Sequence, residues 1–141
     1  MQGLPTESQI NVFDSLDERC AVKHFFGKSL EEAKSLFQEN FLYFQEDLMF
    51  MGPVGFAYYV QAAIEYLLSD AADGDADAAN TFYGLIRFRF EQEPETIEPV
   101  RPLVLSALKA IHAKFDRFCC VTEIYGDLSH AYKMLIEQLS D

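Results

Sequence analysis

Basic residues are in short supply. Eleven Lys and Arg stand against 23 Asp and Glu, a net charge of −12 at pH 7. Nucleic acid and membrane headgroups are anionic and repel such a chain at long range, so neither is expected as a partner, and basic proteins are favoured. Cysteine is scarce as well. Cys20, Cys119 and Cys120 are odd in number and two are adjacent, which is not a disulfide framework. Reduced thiols in a cytoplasm are the simpler expectation. No apolar run has membrane length: the most apolar stretch, 48–68, is broken by Gly52, Pro53, Gly55, Gln61 and Glu65. Residues 1–19 have neither a basic start nor an apolar run, so no signal peptide is expected.

Several chemical signatures are missing too. The sequence has no Gly-x-Ser-x-Gly elbow, no glycine-rich phosphate loop, and no Cys-x-x-Cys or His-Glu-x-x-His pattern. Asp73, Asp75 and Asp77 imitate the start of a calcium loop, but the register fails. Counting from Asp73, Ala78 stands where the turn needs glycine and Gly84 where a bidentate Glu is required. Cys20 and His24, with His112, Asp116, Cys119 and Cys120, could supply zinc donors if they converged. Core packing of the thiols is the plainer reading, and no metal or cofactor is expected.

What is present is helical periodicity. The 141 residues, 50% apolar, suit one domain over 1–141 that buries roughly two-thirds of its unfolded surface. Ser29 and Glu32 form a capping box ahead of a helix from Leu30 to Asn40, with Leu30, Ala33, Leu36 and Phe37 as its stripe. Pro53 opens a helix ending near Ser69, striped by Phe56, Tyr59, Val60, Ala63, Ile64 and Leu67. A helix from about Asp77 to Glu91 follows, capped by Asp75 or Asp77. Residues 85–90 alternate apolar side chains with arginine, so a strand is the competing reading there. From Pro99 and Pro102, Val104, Leu108, Ile111, Phe115, Phe118 and Cys119 keep one stripe, and that helix could run to Ile124 before Gly126 stops it. Asp127 caps a last helix. In residues 1–28, Val12, Phe13, Leu16 and Cys20 could share a helical face, or residues 10–13 could be extended. The expected fold is all-α, a single-domain bundle of five or six helices.

The acidity is uneven. Residues 1–64 carry a net −5, residues 65–98 a net −7, and residues 99–141 are balanced. Arg87 and Arg89 are the only bases in the middle segment. They alternate with Phe88 and Phe90, but so acidic a segment cannot attract RNA, and an Arg87–Glu91 pair is the plainer reading. Glu46 and Asp47 lie between apolar runs. There they could act as acid and base with raised pKa values, with His24 or His112 as a further group, cap the Pro53 helix, or pair with Arg87 or Arg89. Tyr58, Tyr59 and Tyr66 give the Pro53 helix more aromatic surface than one buried face needs. That suits either a protein interface or a helix buried nearly all round.

Asp47, Leu48, Phe50, Pro53, Phe56, Tyr58, Tyr59 and Val60 spell D-L-x-F-x-x-P-x-x-F-x-Y-Y-aliphatic. This resembles the hallmark of a family of bacterial all-helical domains of unknown function, over about Leu36 to Phe118. The family carries proline after the Tyr-Tyr-aliphatic triplet, where this chain has Gln61. The resemblance implies a helical fold and brings no activity, cofactor or catalytic residue. Small acidic helical proteins of similar class serve as immunity factors that mask toxins. The expected function is a non-enzymatic module for a basic protein, toxin-immunity-like in its sharpest form, with Glu46, Asp47, Tyr58, Tyr59, Tyr66, Arg87 and Arg89 as candidate contacts and self-association open. The alternatives are a small enzyme using Glu46 and Asp47, or a Cys/His metal protein.

Overall fold

The computed structural model describes residues 3–141. Among these the secondary structure is entirely helical. The chain forms α1 (Glu7–Ile10), α2 (Leu16–Phe25), α3 (Leu30–Phe50), α4 (Pro53–Leu67), α5 (Ala76–Gln92), α6 (Pro94–Ile97), α7 (Arg101–Ala113), α8 (Thr122–Tyr125) and α9 (Leu128–Ser140). Short 3-10 turns lie at Asp70–Ala72, Glu98–Val100 and Phe115–Phe118. The expected count of five or six was too low. α1, α6 and α8 are single turns, too short to show a period in sequence. No helix is long and apolar enough to cross a membrane among the described residues.

The helices gather into two compact units, residues 1–66 and 67–141. In the first, α2 packs on α3. The Ser29–Glu32 capping box is formed in both directions. Asn40 leaves helical geometry and kinks α3, and its side-chain oxygen accepts the Tyr43 N–H at 3.1 Å, so it caps the second half. The sequence-derived end at Asn40 is thus a kink, after which the helix resumes. Phe25, Phe37, Phe41, Phe44, Leu48, Phe56, Tyr59 and Val60 form the core.

Glycine is required at one crossing. The Gly52 N–H donates to the Ile10 carbonyl at 2.8 Å. A Cβ there would fall 2.5 Å from Val12 Cγ2 and 2.6 Å from the Gln9 carbonyl oxygen. Only a residue without a side chain lets the N-terminal segment cross the α3–α4 junction so closely.

In the second unit, α5, α7 and α9 surround Phe82, Leu85, Ile86, Val104, Leu108, Ile111, Phe118, Tyr132 and Leu135. Residues 85–90 are helical, as the flanking period favoured over a strand. Asp75 caps α5 by accepting from the Ala78 N–H at 3.1 Å, and Asp127 caps α9 by accepting from the His130 N–H at 3.1 Å.

Two expectations need correction. α7 stops at Ala113, so Cys119 is not on its buried stripe. Cys119 sits exposed in a left-handed conformation, and Ile124 lies exposed in the separate α8, which Gly126 ends at φ 69°. In the turn that follows, Arg117 bonds Asp73 and the Leu67 and Ser69 carbonyls. Second, Val12, Phe13, Leu16 and Cys20 share no helical face, because Val12 and Phe13 precede α2. All four are exposed, and Ile10, Ala21 and Phe25 point inward instead.

Candidate interaction surface

Asp47 and Glu46 part company. Asp47 is buried and its Oδ2 lies 2.7 Å from His24 Nδ1, an ion pair joining α3 to α2. Burial raises the Asp47 pKa against the pull of His24, and nearby Glu46 and Asp17 add to the rise. The other imidazole nitrogen lies 3.5 Å from the Tyr43 hydroxyl, and the Tyr43 and Phe44 rings meet the imidazole edge-on. Glu46 is exposed and outside this pair. The paired-carboxylate expectation is therefore corrected: adjacent residues on a helix point about 100° apart, and only one of them faces α2.

The tyrosines divide as well. Tyr59 is fully buried, and its hydroxyl donates to the Phe25 and Lys28 carbonyls at 2.7 and 2.8 Å. Those carbonyls lie at the C-terminal end of α2, where helical partners run out. Burial pushes the Tyr59 pKa to about 12. Tyr66 is buried beside Phe41. Tyr59 and Tyr66 are therefore core residues, not interface contacts. Tyr58 is half-buried. Leu48, Phe56, Tyr59 and Val60 of the sequence motif are all wholly buried, and Asp47 is buried with its ion pair, so the motif is chiefly a packing signature. The helix runs straight through Gln61, whose side chain donates to the Ala57 and Tyr58 carbonyls.

Arg87 is exposed and bonds Glu91 at 2.8 Å, as its i, i+4 spacing suggested. Arg89 is only 1% exposed, close to Glu93, and burial lowers its pKa to about 10. Arg89 is therefore not a surface contact, because its guanidinium lies inside α5's packed face.

The thiols and imidazoles do not converge: no group of three or more His, Cys, Asp or Glu side chains is placed to hold a metal ion among the described residues. A cavity of about 370 Å³ in the second unit is lined by His112, Lys114, Phe115, Asp116 and Ser129 among others. Ser129 Oγ and His112 Nε2 are 3.3 Å apart there. No ion pair to His112 is found among the described residues, so this serine and histidine lack the orienting carboxylate of a triad.

The surface that sequence reasoning missed lies at the front of the first unit. Phe13 is 84% and Leu16 is 75% exposed. Leu4, Val12, Phe50 and Val54 are also well exposed. Val12, next to Phe13 in the chain, lies over Gly52, and Leu4 and Val54 share with Pro5, Gln9 and Tyr58 the wall of a surface cavity of about 340 Å³.

The loop that carries Phe13 is held firmly. Glu18, itself buried, accepts the Phe13 N–H at 2.9 Å and closes a capping box with Ser15. Asp14 takes a left-handed conformation (φ 59°) that costs a non-glycine residue about 1 kcal/mol. Asn11 accepts its N–H at 2.8 Å, and Arg19 grips its carboxylate through two bonds of 2.9 Å. The sequence signal was present in the Ser15–Glu18 capping box. Neither a shared helical face for Val12, Phe13, Leu16 and Cys20 nor an extended segment over 10–13 pointed to it.

No family model, curated protein or solved structure matches the chain, so the reading of this surface rests on the chain's own residues.

Proposed function

We propose that this chain is a non-enzymatic domain that binds a basic protein. One observation carries the reading: a braced loop holds two large apolar side chains, Phe13 and Leu16, in solvent beside carboxylates. Ordering an exposed aromatic in advance lowers the entropy cost of association and has little other use. Charge points to the partner's sign. All five arginines are ion-paired within the chain, to Asp14, Glu91, Glu93, Glu98 and Asp73, so the unbalanced carboxylates set the outward field. The sharpest form of this reading is a cytoplasmic bacterial factor that masks a basic toxin.

Affinity selection from a bacterial lysate, with the retained proteins identified, tests it. Basic proteins retained at low salt and released at high salt are the expected result. Retention of acidic proteins alone, or of nothing, overturns it.

A second reading is acid–base chemistry at His24 and Asp47. The pair favours it because Asp47 fixes Nδ1 while Nε2 faces a hydroxyl. Against it, both ring nitrogens already have protein neighbours and two aromatic edges cover the imidazole.

A further inference from the structure

The protein-binding reading leaves open where the partner sits and what shape it has, and this inference rests on that reading. We propose that the surface formed by residues 3–16 and 50–58 seats a basic amphipathic helix of the partner. One of its aliphatic side chains enters the cavity between Leu4, Pro5, Val54 and Tyr58, its apolar face lies on Phe13 and Leu16, and its lysines or arginines meet the surrounding carboxylates.

Three observations converge. The first is shape: a concavity of about 340 Å³ lined by Leu4, Pro5, Gln9, Val54 and Tyr58 among others lies beside Gln9 and Gly52, against which Val12 packs, and the chain runs on from Val12 to the exposed Phe13 and Leu16. A pocket for one anchor followed by exposed apolar side chains is how an amphipathic helix is read, at steps of three and four residues. The second is rigidity. Residues 11–18 are tied by Asn11, Ser15, Glu18 and Arg19, so this segment does not have to be ordered on binding.

The third is charge, which selects among occupants. Residues 3–19 and 46–58 contain six acids (Glu7, Asp14, Asp17, Glu18, Glu46 and Asp47) and one base, Arg19, which is spent on Asp14. Glu7, Asp17 and Glu46 are exposed, and no ion pair to them is found among the described residues. A second copy laid on this face in a twofold dimer would bring the same acids against each other. An anionic lipid surface meets the same repulsion. A cationic amphipathic segment satisfies the apolar and the charged parts together.

The test uses the full-length chain labelled for amide NMR and three synthetic helical peptides. One is amphipathic and built from leucine and lysine, one is its leucine–glutamate counterpart, and one has the leucine–lysine composition scrambled so that no apolar face forms. The lysine amphipath should bind in a salt-sensitive manner and shift the amides of Leu4, Phe13, Leu16, Val54 and Tyr58. The glutamate and scrambled peptides should bind at least tenfold more weakly. The double variant Phe13→Ser/Leu16→Ser, at exposed positions that leave the core intact, should weaken the lysine peptide at least tenfold while its amide spectrum stays folded.

Equal binding by the glutamate peptide, or undiminished binding by the double variant, overturns the proposal. So does a concentration-dependent dimer in sedimentation that the double variant abolishes, because a second copy is then the occupant. Shifts confined to residues 67–141 overturn this placement but leave the protein-binding reading standing. Failure of every peptide overturns this placement too, while retention of a basic protein from lysate would still uphold the broader reading.

Discussion

In the segment 65–98, six of nine carboxylates are occupied locally. Asp73 holds Arg117, Asp75 caps α5, Asp77 accepts the Tyr125 hydroxyl, and Glu91, Glu93 and Glu98 meet Arg87, Arg89 and Arg101. Four arginines of the second unit are absorbed there. The front of the first unit has six carboxylates over 3–19 and 46–58 and a single arginine. By composition the middle segment is the more acidic. By structure most of its charge is spent on holding the second unit together, so that among the described residues it keeps no more unoccupied carboxylates (Glu65, Asp70 and Glu95) than the less acidic front (Glu7, Asp17 and Glu46). Net charge counted along a chain therefore measures neither the surface potential nor the place where a partner is steered.

Arginine substitutions should expose this contrast most strongly. Arg117 donates to Asp73, to the Leu67 carbonyl and to the Ser69 carbonyl, and lies over the Phe118 ring. Arg117→Ala should cost about 3 kcal/mol in denaturant unfolding, since it strips partners from part-buried carbonyls. Arg19→Ala breaks an exposed pair with Asp14 and should cost about 1 kcal/mol or less. Similar losses at both sites would erase the distinction between spent and surface charge.

Each unit also has a buried tyrosine tied to backbone. Tyr59 serves two carbonyls, while Tyr132 donates to the Ala79 carbonyl at 2.6 Å. Tyr59→Phe should destabilise by about 2 kcal/mol because two bonds are lost and the Lys28 carbonyl is left without its hydroxyl donor, while the Phe25 carbonyl keeps the Lys28 N–H. Tyr132→Phe should cost about 1 kcal/mol, one bond being lost. Calorimetry of the two variants would order them, and the reverse order would count against this account.

Alkaline titration sharpens the comparison further. The folded Tyr59 has its pKa at about 12, above its ordinary value of 10. The fold thus favours the protonated phenol. Its stabilisation is full below pH 10 and is lost as pH rises from 10 to 12. Burial raises Tyr132 in the same direction. Ultraviolet titration should show these phenols ionising only as the helical signal falls. Early ionisation of all seven tyrosines, with the helices intact, would contradict the burial assignments.

The smallest expected effect is at Phe13. Phe13→Ser should change unfolding free energy by no more than about 0.5 kcal/mol, because so exposed a ring contributes little packing. A loss above about 2 kcal/mol, the scale of a core aromatic, would show the ring to be packed and remove the proposed contact.

Much of the helical framework was legible in the sequence. The Ser29–Glu32 box, the Pro53 start, the Asp75 and Asp127 caps and the stripe from Phe56 to Leu67 all stand where local rules put them. Capping and periodicity act within one or two turns, so they survive in a linear reading. The candidate contacts were less legible. Position and chemistry offered Tyr59, Tyr66 and Arg89 as contacts, with a helix buried nearly all round as the alternative for the two tyrosines, and the fold buries all three. The Asp47–His24 pair spans 23 positions, and the Arg117 anchor reaches back almost fifty.

The order of side chains along the chain determined that it would coil into helices and where most would begin, and its composition set a net charge of −12. Each follows from forces acting over a few residues or from total charge. Packing alone decided which acids are neutralised, which aromatics are hidden, and that Phe13 and Leu16 stand in water. Those outcomes depend on which distant segment arrives beside a residue, and spacing along a helix carries no record of that.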